Sequence, residues 1–196
     1  MTAYRFTECL NDLFDAFFLA DPLVLQHFQR ENGLPVNLLS EFTQNDSGDR
    51  VVEEGALVPL RGIENFPYQV NFHLAGSMPD LLQADSDLQI RQGGYRLRVE
   101  SGRVALFTVP YLRDFGEQVM ERLAQRRERG NPEISLANGW YGVEILAGRS
   151  WKTEMFRGQA TSYLEPTLEF LLTWSKQAPV FSADIQIPFT VADKPQ

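Results

Sequence analysis

The residues that most often carry enzyme chemistry are few in this sequence. There are two histidines, His27 and His73, and one cysteine, Cys9. Nucleophilic catalysis needs a base near its nucleophile, and that base is most often histidine. His27 falls on the apolar side of a predicted helix, and His73 on the polar, solvent-facing side of a predicted strand. Neither position predicts a catalytic base, and the sequence has no Gly-x-Ser-x-Gly elbow.

Motifs for metals and nucleotides are missing as well. The sequence contains neither His-Glu-x-x-His nor Cys-x-x-Cys, the spacings that place zinc ligands together. Gly93-Gly94 joins two predicted strands, so it cannot hold a phosphate at a helix N-terminus. We therefore expect no metal and no cofactor in the purified protein.

Two clusters of charged residues remain as candidate binding positions. The acidic cluster lies in a polar stretch and consists of Asp46, Asp49, Glu53 and Glu54. The basic cluster shares the outward face of a predicted strand pair and consists of Arg91, Arg96 and Arg98. Like charges on paired strands repel each other, so either acidic neighbours or a partner should neutralise the arginines.

Charge and hydropathy indicate which classes of partner, and which cellular location, to expect. The chain has 18 basic and 26 acidic residues, for a net charge of −8. Such a charge repels phosphate backbones and anionic lipid, so we expect neither nucleic acid nor membrane as a partner. No apolar run approaches the ~18 residues of a membrane span, which favours a cytoplasmic location. One cysteine cannot form an internal disulfide.

Length and composition predict one globular domain over residues 1–196. Apolar residues at helical spacing predict a helix from about Thr7 to Ala20. Asp21-Pro22 predicts the start of a second helix, which ends near Arg30. Two further helices are predicted, from Asp114 to Arg129 and from Leu164 to Ser175. The polar, aperiodic stretch 40–65 is predicted to be a long surface loop.

The strands follow from alternation of apolar and polar residues. A strand is predicted at 69–74, a central one at 103–109, an extension of the sheet at 151–156 and a last strand at 181–191. Residues 88–99 and 134–145 predict two hairpins with a constant offset of 46 residues, which suggests a duplicated unit. The predicted class is α+β, a mainly antiparallel sheet built from hairpins with three to four helices packed on it.

These features favour a small protein-binding module. The preferred hypothesis is an inhibitor or toxin-neutralising (immunity-type) protein that binds another, basic protein stoichiometrically. An effector chaperone and a cofactor-free enzyme with carboxylate acid/base chemistry are the alternatives. A concave pocket with two close carboxylates would favour the enzyme. The sequence does not determine the oligomeric state.

Overall fold

The computed structural model describes residues 3–9, 15–65, 67–128, 132–156 and 158–192. Within these ranges it has nine strands and five helices, which confirms the predicted α+β class. The strands are β1 (Ala3–Cys9), β2 (Ala16–Ala20), β3 (Val58–Arg61), β4 (Pro67–Leu74), β5 (Asp87–Val99), β6 (Arg103–Thr108), β7 (Glu133–Ser135), β8 (Gly139–Phe156) and β9 (Gln159–Ser175). The helices are α1 (Pro22–Glu31), α2 (Leu38–Gln44), α3 (Ser47–Glu53), α4 (Pro110–Arg113) and α5 (Glu117–Glu128).

The strands form two sheets around one apolar core. The larger sheet has the order β1-β4-β9-β8-β5 and the smaller one the order β3-β2-β6-β7. Neighbouring strands are antiparallel except β4 and β9, which are parallel. Phe17 of the smaller sheet meets Tyr68 of the larger one edge to face, with ring centroids 6.1 Å apart. Phe72 and Phe170 stack at 4.9 Å within the larger sheet.

Four elements agree with the prediction from sequence. The Asp21 side chain accepts a hydrogen bond from the backbone N–H of Leu23 and caps α1. β4 and α5 form close to their predicted positions. β6 is an interior strand, and the side chains of 104–107 are all buried, as expected for a strand covered on both faces.

The predicted helix at Thr7–Ala20 is wrong. Residues 3–9 and 16–20 are strands, and 10–14 lie outside the described residues. All five residues of β2, which lies between β3 and β6, are buried. A strand covered on both faces is continuously apolar, and such a run satisfies helical spacing as readily as strand spacing.

The predicted helix at Leu164–Ser175 is wrong for a related reason. These residues belong to β9, an interior strand between β4 and β8. Leu168, Phe170 and Leu172 face the core, while Glu169 is buried on the opposite face. Apolar residues on both faces hid the period of two from sequence inspection.

The two predicted hairpins, and with them the duplication, are also wrong. Residues 87–99 form one continuous strand, in which the register shifts between Gln92 and Tyr95. The Gly93-Gly94 pair is therefore an irregularity inside a strand rather than a turn. β7 and β8 belong to different sheets. The similarity between the segments arises because β5 and β8 are neighbours, with Tyr95 opposite Val143 and Leu97 opposite Tyr141, so both face the same core.

The predicted loop at 40–65 folds instead into α2, α3 and β3. The Asn37 side chain accepts a hydrogen bond from the Ser40 N–H at 3.1 Å and caps α2. At the start of α3, Gly48 packs so closely that a Cβ would lie 2.0 Å from the Phe42 carbonyl oxygen. The polar residues of this stretch cap the helices or lie on their exposed faces. In the sequence alone, such residues have the same composition as a loop.

In the last predicted strand, 181–191, inward and outward residues alternate as expected, but the segment does not pair as a strand of either sheet. Odd-numbered residues from Phe181 to Val191 are buried or half-buried, and the even-numbered ones are exposed. The segment is nevertheless assigned to no strand. Its Ser182 N–H donates to the Gly94 carbonyl at 3.0 Å, and its Phe189 N–H to the Arg61 carbonyl at 2.7 Å. The segment therefore connects β5 of one sheet to β3 of the other.

Candidate functional site

One surface cavity is a groove of about 770 Å³ between α2, α3, the smaller sheet and the 181–192 segment. Its floor is apolar and includes Phe18, Phe42 and Leu112. Phe18 and Leu112 are buried, and Phe42 is half-buried. Because α2 and α3 are joined by the tight contact at Gly48, the groove has one wall built from short, closely packed helices.

Exposed carboxylates surround this apolar floor. Asp15, Asp46 and Asp49 line the groove and are exposed to solvent. Arg61 is the cation among the lining residues, and its guanidinium donates to the Gln186 Oε1 at 3.0 Å. Three carboxylates against one guanidinium make the mouth of the groove acidic, and concave sites concentrate such a potential.

The acidic cluster predicted from sequence is divided by α3. Asp46 and Asp49 lie at its start and line the groove. Glu53 and Glu54 lie at its end, and neither lines the groove. Glu54 forms an ion pair with Arg50 at 3.2 Å, on the exposed side of the helix. The structure thus brings two of the four predicted residues to the groove.

The predicted basic residues all have partners within the chain. Arg91 donates to Glu144 at 2.7 Å. Arg98 pairs with Glu100, and its guanidinium lies 6.0 Å from the Trp140 ring centre. Arg96 donates to the backbone carbonyls of Glu53 and Pro179. Acidic, aromatic and carbonyl groups of the chain itself therefore compensate this basic stripe.

The most elaborate polar cluster was missed from sequence, and it surrounds Glu169. This carboxylate is fully buried. Its Oε1 accepts hydrogen bonds from Asn71 Nδ2 at 2.9 Å, His73 Nε2 at 2.9 Å and the Asp80 N–H at 3.0 Å. Its Oε2 accepts from the Leu81 N–H at 2.8 Å. Burial raises the pKa of Glu169, but these donors outweigh it and hold the pKa below the ordinary value.

The prediction that His73 faces solvent is wrong. His73 is only 3% exposed, because the segment carrying the 3-10 turn Asp80–Leu82 covers this face of the larger sheet. Its Nδ1 lies 3.0 Å from Ser77 Oγ. The alternation along β4 correctly placed His73 opposite the core side, but it could not show that the second face is also covered.

Ser77, His73 and Glu169 form a hydroxyl–imidazole–carboxylate chain, an order also found in nucleophilic enzymes. Here, however, the Ser77 hydroxyl also donates to the Leu74 carbonyl at 3.1 Å. Ser77 lines neither the groove nor the second cavity. The cluster fastens the 3-10 turn to β4 and β9, and we assign it a structural role.

Asp21 is a second buried carboxylate with four donors. Its Oδ1 accepts from the Leu23 N–H at 2.9 Å and from Ser101 Oγ at 2.8 Å. Its Oδ2 accepts from the backbone N–H groups of Glu100 and Ser101, both at 2.7 Å. One side chain thus caps α1 and holds the turn between β5 and β6. Nearby, His27 Nδ1 lies 3.0 Å from the Glu100 carboxylate.

The second cavity is smaller and polar, with a volume of about 350 Å³. It lies between β1 and the outer part of β8, and Arg5, Gln69 and Lys152 are among its lining residues. Arg5 pairs with Asp80 at 3.1 Å, and Lys152 pairs with Glu165 at 3.1 Å. Both cations are therefore already compensated within the chain.

Among the residues that the structure describes, no three histidine, cysteine, aspartate or glutamate side chains are grouped so that they could hold a metal ion. In the same residues, no helix combines the length and apolarity needed to cross a membrane.

No family model and no curated protein matches this chain. A solved structure described as "Crocagin biosynthetic gene J" is 15% identical, with a TM-score of 0.42, covering 87% of this chain and 98% of that one. ComJ from Bacillus subtilis, described as an inhibitor of the DNA degrading activity of NucA, is 10% identical, with a TM-score of 0.39, covering 89% and 96%. Similarity at this level carries no argument about function.

Proposed function

We propose that this protein is a cytoplasmic binding module that neutralises a basic protein by stoichiometric contact, in the manner of an inhibitor or immunity protein. The groove with its acidic mouth is the observation that carries the proposal. Its partner would place an apolar side chain on the floor and basic side chains beside Asp46 and Asp49. Apolar anchors in pockets supply much of the affinity of such contacts, and complementary charge speeds encounter.

The net charge of the whole chain also supports a basic partner. The net charge of −8 attracts a basic protein at long range, and the exposed aspartates would then orient it at the groove. The arginines of the basic stripe do not compete for this role, because Glu144, Glu100 and backbone carbonyls engage them.

The carboxylate-enzyme alternative lacks a comparable observation among the described residues. A carboxylate that transfers protons usually has its pKa shifted by partial burial next to a cavity. The two buried carboxylates discussed above, Asp21 and Glu169, are saturated with donors and line neither cavity. The groove carboxylates are exposed, which suits ion pairing with a partner.

Affinity purification from the native host tests the proposal first. The protein is used as bait, beside the double variant Asp46→Lys/Asp49→Lys, and retained proteins are identified by mass spectrometry. We expect the unmodified bait to retain a basic protein in about equal amount, and the variant to retain much less of it. Equal retention by both baits, or retention of acidic proteins only, contradicts the proposal.

Association kinetics with that protein give the quantitative prediction. Asp46→Lys/Asp49→Lys should slow association about tenfold or more at low salt, and added salt should slow the unmodified protein in the same way. The matched control is Glu53→Lys/Glu54→Lys, which changes net charge equally on the same helix but away from the groove. We expect it to slow association less. An association rate that ignores salt and both variants contradicts an electrostatic encounter.

A further inference from the structure

The hairpin of β8 and β9 extends beyond the strands that flank it. β5 pairs with β8 only as far as Arg149, opposite Asp87. β4 pairs with β9 only from Thr167 onward. Residues 150–156 continue to pair with residues 159–165, but no other described strand pairs with either stretch. We call these two stretches the arm.

The β8 edge of the arm lacks the features that usually prevent an edge strand from pairing with another strand. An isolated two-stranded ribbon is marginally stable in water, and a free edge presents unpaired backbone groups. Residues 150–156 contain no proline, and their register with β9 has no shift. Trp151 and Met155 are 52% and 70% exposed. Such an edge is open to another strand.

The connection at the tip determines which backbone groups point outward. Phe156 is opposite Gln159, with two residues between them. The residues that flank a two-residue hairpin loop form a hydrogen-bonded pair, and such pairs alternate with non-hydrogen-bonded ones. The N–H and C=O groups of Trp151, Thr153 and Met155 therefore point away from β9, toward the free edge.

This edge is complementary to itself. In an antiparallel alignment centred on Thr153, Lys152 of one copy stands opposite Glu154 of the other. On the other face, Trp151 stands opposite Met155, a favourable aromatic–sulfur pair. The outward backbone groups of Thr153 meet those of its equivalent, as a hydrogen-bonded pair requires. Opposite charges and matched apolar residues on paired strands each stabilise the pairing.

We propose that the β8 edge of the arm pairs with the β8 edge of a second copy of this chain, about a twofold axis at Thr153. The outer edge of β9 does not fit this role equally well. Centred on Ser162, it would place Glu165 opposite Gln159 without a charge pair. Pro166, which directly follows the arm on β9, has no N–H to donate. The contact is independent of the groove and of the proposed basic partner.

The β8 contact is small, so the dimer should be a weak one. Interfaces below about 1,200 Å² belong to transient complexes. Analytical ultracentrifugation of the full chain from about 1 to 200 μM should show a reversible rise from 22.4 kDa toward twice that mass. Over the same range, the amides of Trp151, Thr153 and Met155 should exchange hydrogen more slowly. A monomer at every concentration overturns the proposal.

Two proline substitutions test which edge of the arm forms the dimer. Thr153→Pro removes the outward N–H at the twofold axis and should raise the dissociation constant at least about tenfold. Ser162→Pro is the matched control, because Ser162 is directly opposite Thr153 and their hydroxyls share a hydrogen bond of 2.8 Å. Ser162→Pro should leave dimerisation unchanged. Equal effects of the two substitutions overturn the assignment to the β8 edge.

A charge swap tests the register without disturbing the backbone. Glu154→Lys places lysine opposite Lys152 of the second copy and should weaken the dimer. Lys152→Glu/Glu154→Lys restores opposite charges across the axis and should recover it. Lys152 also contacts Glu165 and Glu154 of its own chain. Circular dichroism must therefore show that each variant is folded. Failure of the double variant to recover the dimer overturns the register centred on Thr153.

Discussion

Replacing Glu169 by glutamine is expected to lower the free energy of unfolding by about 3 kcal/mol or more. The carboxylate accepts four hydrogen bonds from side-chain and backbone donors. An amide of the same shape turns an NH₂ group toward some of these donors, which leaves buried polar groups without a partner. Urea unfolding followed by circular dichroism measures the loss from the shift of the midpoint.

Glu144→Gln is the control for this substitution. Glu144 also accepts a hydrogen bond, from Arg91, but that guanidinium is exposed and the carboxylate is partly so. Exposed pairs contribute little to stability, so this variant should unfold close to the unmodified protein. Equal losses for the two variants would show that the Glu169 cluster is not a specific anchor.

The same carboxylate predicts a dependence on pH. Its pKa is lower in the folded protein than its ordinary value of 4.5. A depressed pKa contributes stability that is present above the unfolded pKa and is lost as pH falls through the folded pKa. The unmodified protein should therefore lose stability below about pH 4.5, and Glu169→Gln should lose less over that range. A parallel pH dependence for both proteins contradicts this.

Replacing Asp21 by alanine is expected to cost about 3 kcal/mol, through two elements at once. The substitution removes the cap of α1, which typically costs about 1 kcal/mol. It also leaves the N–H groups of Glu100 and Ser101 without their acceptor. Both groups are only part-buried, so each loss should cost about 1 kcal/mol, the low end for an unpaired group. The same urea measurement detects this loss.

Asp46→Ala is the matched control at an equivalent helix position. Asp46 precedes α3 as Asp21 precedes α1, but its side chain makes no capping hydrogen bond. It is also exposed. We expect this variant to unfold within about 0.5 kcal/mol of the unmodified protein, as is usual for surface substitutions. A similar cost at both positions would contradict the assigned role of Asp21.

Local signals were sufficient where a residue acts on its own neighbours in sequence. Asp21-Pro22 predicted the start of α1, and the Asp21 side chain does cap that helix. In the 181–191 segment, alternation correctly separated inward from outward residues. These features depend on caps, turns and side-chain direction within a few residues, which the sequence contains in full.

Tertiary structure decided where the candidate binding residues lie relative to one another. Asp46 and Asp49 were identified from charge alone, yet only packing shows that they border an apolar groove while Glu53 and Glu54 do not. The arginines were identified as a stripe, but their contacts with Glu144 and Trp140 come from β8, a strand distant in sequence.

The sequence determined the α+β class and the net charge, and it supplied the candidate acidic residues. Tertiary structure decided that β2 and β9 are interior strands, that His73 is buried against Glu169, and that the inward face of 181–191 closes the space between two sheets. The physical reasons differ between the strands and the buried histidine. An interior strand is apolar on both faces, so the period that distinguishes strand from helix disappears. A buried polar residue, in turn, requires donors from segments distant in sequence.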